Sequence, residues 1–195
     1  MQKLNQQPDI CPYFSPEFKV IPQYIIMKEG ECMELNNRTT SFFIFILSGE
    51  ITISFEQYTN RSVLENEMFF LPKNNCFKWK AVTQTVLILT GYNATIFPCT
   101  SVRARILYKI KAGVKFDCRG VVMKDEVKVV VNQMKHYLES GINCHHMYIL
   151  KHKELYLMFK HFYTYEEIIQ IFYLILGSNP LFNERVLDNY LKFLP

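Results

Sequence analysis

The hydrophobic period of this chain changes once, near Gly120, from two residues to between three and four. Alternation over short stretches marks half-buried strands, and the longer period marks helices with one apolar face. A chain with one such change must bury sheet faces in its first part and helix stripes in its second, which predicts an α+β fold. The alternation is plainest in Ile51-Thr52-Ile53-Ser54-Phe55, where Ile51, Ile53 and Phe55 share a face. It recurs in Phe77-Lys78-Trp79-Lys80, with two rings on one side and two ammonium groups on the other. Apolar runs at 42–47, 68–71 and 86–89 are short and bounded by turn residues, so they read as strands buried on both faces.

Turn signals fall at Glu29-Gly30-Glu31, Ser48-Gly49-Glu50, Tyr58-Thr59-Asn60-Arg61, Lys73-Asn74-Asn75 and Gly91-Tyr92-Asn93. Strands at spacings near ten residues point to an antiparallel sandwich or barrel. Residues 102–112 form a further alternating stretch, with Arg103, Arg105, Lys109 and Lys111 on one side. Its basic face is either a solvated edge that blocks strand pairing or a stripe that contacts phosphate.

Beyond Gly120, Met123, Val127, Val130, Met134 and Tyr137 step by four, three, four and three, and Val131 and Leu138 widen the stripe. Gly141 closes this helix. A second helix is expected over about 143–163. Thr164-Tyr165-Glu166-Glu167 is a capping box that opens a third, ended by Gly177, and Pro180 starts a fourth. The chain thus divides into a β-barrel, 1–118, and an α-helical region, 119–195.

Composition narrows the function. With 195 residues and 49% apolar side chains, the chain is long and hydrophobic enough for one sizeable core. Its longest apolar runs are six residues, at 42–47 and 171–176, against the roughly 20 that a bilayer requires, so no membrane partner is expected. The amino terminus has no apolar stretch to act as a secretory signal, which predicts a cytoplasmic protein. No two of the six cysteines lie closer than 19 positions, so they are expected as buried free thiols. A net charge of +4 is too small for a nucleic-acid binder.

Catalytic signatures are missing. All five histidines (136, 145, 146, 152 and 161) lie in the helical half, and no two stand three or four residues apart, the spacing that aligns ligands on one helix face. They are expected on the surface or satisfied locally. There is no Gly-x-Ser-x-Gly and no phosphate-cradling glycine loop. The expectation is a non-enzymatic protein without metal or other cofactor.

One stretch is more specific. Asn66 precedes Pro72 by six positions, Asn74 follows it by two, and Phe77 comes three later. This resembles the second motif of the cupin superfamily, with asparagine at both glycine positions and phenylalanine where a metal-binding histidine stands. Asparagine is the non-glycine residue best suited to left-handed backbone, so the turn chemistry survives. Gly49 resembles the glycine closing the first motif. That resemblance puts the acidic ligand position on Phe42 and the two histidine positions among Asn36, Asn37 and Arg38. It implies a cupin-like double-stranded β-helix, a jelly-roll barrel, stripped of metal ligands. Phe42, Ile44, Ile46, Phe77 and Trp79 would face its lumen, as either an apolar ligand pocket or a solid core.

The helical half is similar to a subgroup of AraC-type transcriptional regulators in Asn143-Cys144-His145-His146-Met147, Lys151-His152-Lys153-Glu154-Leu155, the stretch from Phe162 to Ile168, and that from Phe182 to Tyr190. The resemblance implies an effector-sensing and dimerisation domain. Its pairing helix would be 123–138, through Met123, Val127, Val130, Val131, Met134, Tyr137 and Leu138. The same stripe could instead pack on its own barrel. The chain reaches Pro195 with no recognition helix, so DNA binding is expected only through a helix-turn-helix part that it does not contain. The alternative is a metal-independent cupin-fold enzyme, or a binding protein, for a small apolar molecule.

Overall fold

In the computed structural model, strands pass back and forth between two sheets. The structure describes residues 22–92, apart from 38 and 57, and residues 118–177; the side chains of 37 and 174–177 are not described. One sheet holds β1 (Gln23–Met27), β3 (Ser41–Ser48), β6 (Glu67–Leu71), β8 (Thr85–Tyr92) and the short β9 (Val121–Val122), in the order β1-β8-β3-β6-β9. The other holds β2 (Cys32–Asn37), β4 (Glu50–Phe55), β5 (Tyr58–Leu64) and β7 (Asn75–Ala81), in the order β2-β7-β4-β5. The first strand pairs with the eighth, the second with the seventh, the third with the sixth and the fourth with the fifth, all antiparallel. This nested pairing is a jelly roll. Three helices follow: α1 (Asp125–Glu139), α2 (His145–Phe162) and α3 (Tyr165–Gly177). The architecture is the α+β, cupin-like one that the alternation and the motif spacing imply.

Sequence parity decides which side chain faces which core. In β3, Ile44 and Ile46 point into the barrel, and Phe43 and Phe45 point outward under the helices. In β6, Phe69 and Leu71 face in while Met68 and Phe70 face out; in β8, Leu87 and Leu89 face in while Ile88 faces out. The sheet containing these strands is therefore buried on both faces, which is why its strands read as unbroken apolar runs. The second sheet has one wet face. Phe77 and Trp79 of β7 are buried, and Cys76, Lys78 and Lys80 between them are exposed.

The outward core joins β3, β6, β8 and β9 to all three helices. The change of period near Gly120 is thus not a boundary between separate cores. α1 ends in a Schellman turn: Gly141 has φ 71 and its N–H donates to the Leu138 carbonyl, while the Ile142 N–H donates to that of Tyr137. The capping box closes reciprocally, the Thr164 N–H donating to Glu167 Oε2 at 2.8 Å and the Glu167 N–H to Thr164 Oγ1 at 3.3 Å.

Several local expectations need correction. Tyr58-Thr59-Asn60-Arg61 is not a turn but part of β5. Phe55 pairs with Tyr58, so the reversal falls between them, at Glu56 with φ 47. Asn60 takes φ 49 within the strand, and its N–H donates to Ser54 Oγ at 2.9 Å, so its turn chemistry makes an irregularity rather than a reversal. Gly91 and Tyr92 complete β8 rather than leave it. Cys32 and Cys76 are exposed, since each sits at an outward position of the wet sheet; Cys118 is buried. The strand at 102–112, the fourth helix, Cys11 and Cys99 lie outside the described residues.

Candidate functional site

The barrel interior brings Ile44, Ile46, Phe77 and Trp79 together in one core with Ile51, Ile53 and Phe55. Phe42 lies over it, half-buried. Phe77 and Phe55 approach with ring centroids 4.7 Å apart, and Phe55 in turn lies 6.1 Å from Phe69. Side chains fill this space. A small cleft lined by Phe43, Phe70, Arg119 and Gln170 lies on the helix side of the sheet, with about 10 Å³, room for roughly one water.

One atom in the interior is unpaid for. Trp79 is 2% exposed, and its Nε1–H is buried without a hydrogen-bond partner. Leaving such a donor unpaired costs about 1–3 kcal/mol. Natural cores rarely carry a bare polar atom.

The motif corner is built as its spacing predicts. Asn66 has φ 63 and Asn74 has φ 64, both left-handed. Gly49 has φ 84, and a Cβ there would lie 2.7 Å from Thr85 Oγ1, 2.9 Å from Thr85 Cα and against the Gln84 carbonyl oxygen. Asn66 is tied on two sides: its N–H donates to the Ile46 carbonyl at 2.9 Å, and its own carbonyl accepts from Met123 N–H at 2.7 Å. The corner that would carry a metal ligand in the cupin motif therefore also fixes the entry to α1. Phe77, at the histidine position, is fully buried. Among the described residues, no three His, Cys, Asp or Glu side chains converge in a way that could hold a metal ion.

The helix stripe has the second of its two open roles. Met123, Val127, Val130, Val131 and Met134 are 0–2% exposed against the chain's own barrel and helices, and Tyr137 and Leu138 are half-buried at the margin. Met123 precedes the helix rather than belonging to it. An apolar stripe reports only that a face is covered, and here the outward face of β3, β6 and β8 covers it. The large apolar side chains left exposed on the helices include Val129 of α1, Leu150, Leu157 and Phe162 of α2, and Tyr165 of α3.

The histidines also divide. His136 and His161 are exposed, but His145 and His152 are buried, contrary to a surface location. Their separation of seven residues places them on one face of α2, with Tyr148, Leu155 and Phe159; spacing by three and four alone misses this. His152 Nε2 lies 2.8 Å from Thr90 Oγ1 on β8. Burial, reinforced by His145, pulls its pKa down to about 4, so the ring is neutral near pH 7. Burial and His146 likewise hold His145 below the ordinary imidazole range.

Tyr163 ties the same layer together at its other end. Its hydroxyl donates to the Val122 carbonyl at 3.0 Å and accepts from Lys124 N–H at 2.8 Å. Burial pushes it up to about 12. Lys124 Nζ reaches Glu167 at 2.9 Å. Burial alone would raise the Glu167 carboxyl, but hydrogen bonds from Lys124 and Thr164 hold it below the usual range.

No family model and no curated protein matches the chain. Similar solved structures include the Cnp3 cupin domain of Schizosaccharomyces pombe, at 18% identity and TM-score 0.35, over 38% of this chain and 53% of that one. Another is a cupin superfamily protein of Desulfitobacterium hafniense, at 16% identity and TM-score 0.34, over 37% and 66%. A third is KdgF from a Halomonas species, at 12% identity and TM-score 0.33, over 38% and 70%. A Streptococcus pyogenes protein of unknown function is similar over 62% of its own length. The barrel is cupin-like. Its nested antiparallel strand pairing makes it so. Among the described residues, no helix is long and apolar enough to cross a membrane.

Proposed function

We propose that this chain is the effector-sensing and dimerisation part of an AraC-type transcriptional regulator. The observation that carries the reading is the motif corner: Asn66 and Asn74 keep the left-handed turns of a cupin barrel, and a buried Phe77 occupies the place of a metal ligand. Rings in place of chelating groups suit a receptor for an apolar or aromatic molecule better than a metal-assisted reaction. The sequence likeness over 143–190 supports the regulatory role.

In this reading the effector enters past the half-buried Ile25, Met33, Leu35, Phe42 and Tyr58 and presents an acceptor to Trp79 Nε1. It acts only as far as it binds one arrangement of barrel and helices more tightly than another. Because α1 spends its stripe on the barrel, pairing between copies falls to the outer surface of α1 and α2, around Val129, Leu150 and Leu157. DNA contact belongs to a helix-turn-helix part.

Sedimentation and metal analysis test the reading together. A dimer that becomes monomeric in L150E/L157E, and purified protein free of stoichiometric Fe, Mn or Zn, are the expected results. A monomeric wild type, or a bound metal ion with turnover of a small substrate, would replace the regulator by the enzyme alternative.

A further inference from the structure

Thr90 stands on the strand that separates the two cores. Its neighbours in sequence, Leu89 and Gly91, belong to the barrel wall, and Leu89 points into the interior while Thr90 points toward the helices. The Thr90 side chain is 1% exposed and His152 is 8% exposed, so their contact is sealed from water. The hydroxyl donates to Nε2, or Nε2–H donates to the hydroxyl, and burial keeps the ring neutral near pH 7. A second proton would turn both ring nitrogens into donors and put a charge in an apolar layer.

The surroundings offer that charge no relief. From α2 itself, the titratable group felt by the ring is His145, which burial also keeps neutral, and whose protonation would repel a second positive charge. From β8 come the Thr90 hydroxyl and, nearby on the same strand, Tyr92. α1 contributes Val127, Val130, Val131 and Met134 to the layer and α3 contributes Ile168, Ile169, Ile171 and Phe172, with the half-buried phenols of Tyr137, Tyr173 and, from β1, Tyr24 at its margin. Tyr148 and Tyr163 stay uncharged, burial pushing both up to about 12. On α2, Lys151 and Glu154 pair with one another at 2.8 Å, and Lys153 and Lys160 are exposed. Among the described residues, no carboxylate acts on the ring.

The geometry points to an acid-operated latch: the Thr90–His152 contact holds α2 on the barrel while the ring is neutral, and uptake of a proton by His152 releases the helix without opening the barrel interior. The direction follows from linkage. A histidine whose folded pKa lies below its unfolded value contributes its full stabilisation above the unfolded value, near 6.5, and loses it as pH falls toward the folded value, near 4. The two cores have separate reporters. Trp79, the single tryptophan, sits inside the barrel, and the amides of α2 report the helix layer.

Amide hydrogen exchange of the full chain, corrected for intrinsic rates and followed alongside Trp79 emission from pH 7 to pH 4, tests the latch. Protection of α2 should fall on the order of a hundredfold over this range while Trp79 emission holds steady. In H152Q the pH-dependent fall should shrink to the smaller part that His145 contributes. T90V provides a second reading if H152Q does not fold: without the partner of the neutral ring, release should move to higher pH. Equal pH profiles in wild type and H152Q, an unmoved midpoint in T90V, or a Trp79 emission that shifts together with α2 exchange would each overturn the proposal.

Discussion

The two faces of the β1-β8-β3-β6 sheet both bury rings and aliphatic side chains, yet their polar groups differ. Toward the helices, hydrogen bonds join one element to another: Thr90 to His152, and Tyr163 to Lys124 and Val122. Tyr148 likewise donates to the Ile142 carbonyl at 2.7 Å. Toward the barrel interior, the indole N–H of Trp79 is left over. A hydrogen bond between two elements favours one packing of them; a core with a spare donor gains from a guest that brings an acceptor. In the proposed reading, the outer face anchors the helices and the inner one receives the effector.

The strongest way to break this contrast is to show that the outer face is not part of the same cooperative unit. Phe43 meets Phe45, Phe70, Tyr92, Phe159 and Phe172 at centroid distances of 5.0–6.0 Å. Phe43→Ala should cost about 3–5 kcal/mol. At pH 7, where His152 is neutral, denaturation followed by Trp79 fluorescence and by helical circular dichroism should shift together; two separated transitions there would mean that the helices and barrel are independent. Next in size, Gly49→Ala adds a Cβ against Thr85 at a backbone angle that only glycine tolerates well, and should cost at least about 2 kcal/mol in the same measurement.

Smaller effects sharpen the picture of the motif corner. Asn74→Val should cost about 1–2 kcal/mol and Asn74→Gly close to nothing, because the position needs φ 64 rather than an amide side chain. Equal losses in both would show that the Asn74 side chain matters for another reason. Thr164→Ala removes one half of the capping box and should lower stability by about 1 kcal/mol, with the loss of amide protection confined to the first turn of α3.

Much of the barrel was legible because strand parity has only two solutions. Once Ile51, Ile53 and Phe55 share a face, Thr52 and Ser54 must take the other, and the same arithmetic placed Phe77 and Trp79 inside. Asn66 and Asn74 announced left-handed turns by residue type and spacing. β2 and β5 were harder to see: Cys-Met-Glu-Leu-Asn-Asn buries its Met33 and Leu35 only partly, and β5 buries only Val63. The use of the α1 stripe could not be read either, since an apolar face does not name the surface that covers it. His152 escaped notice because its partner, Thr90, is 62 positions away in the chain.

Trp79 offers the most direct test of the receptor claim. Titrating the purified chain with a library of small aromatic and aliphatic metabolites should give, for at least one class bearing a hydrogen-bond acceptor, a saturable change in Trp79 emission. Emission that stays flat across the library, with a structure in which the same side chains remain packed, would leave the barrel as a filled scaffold and contradict the account.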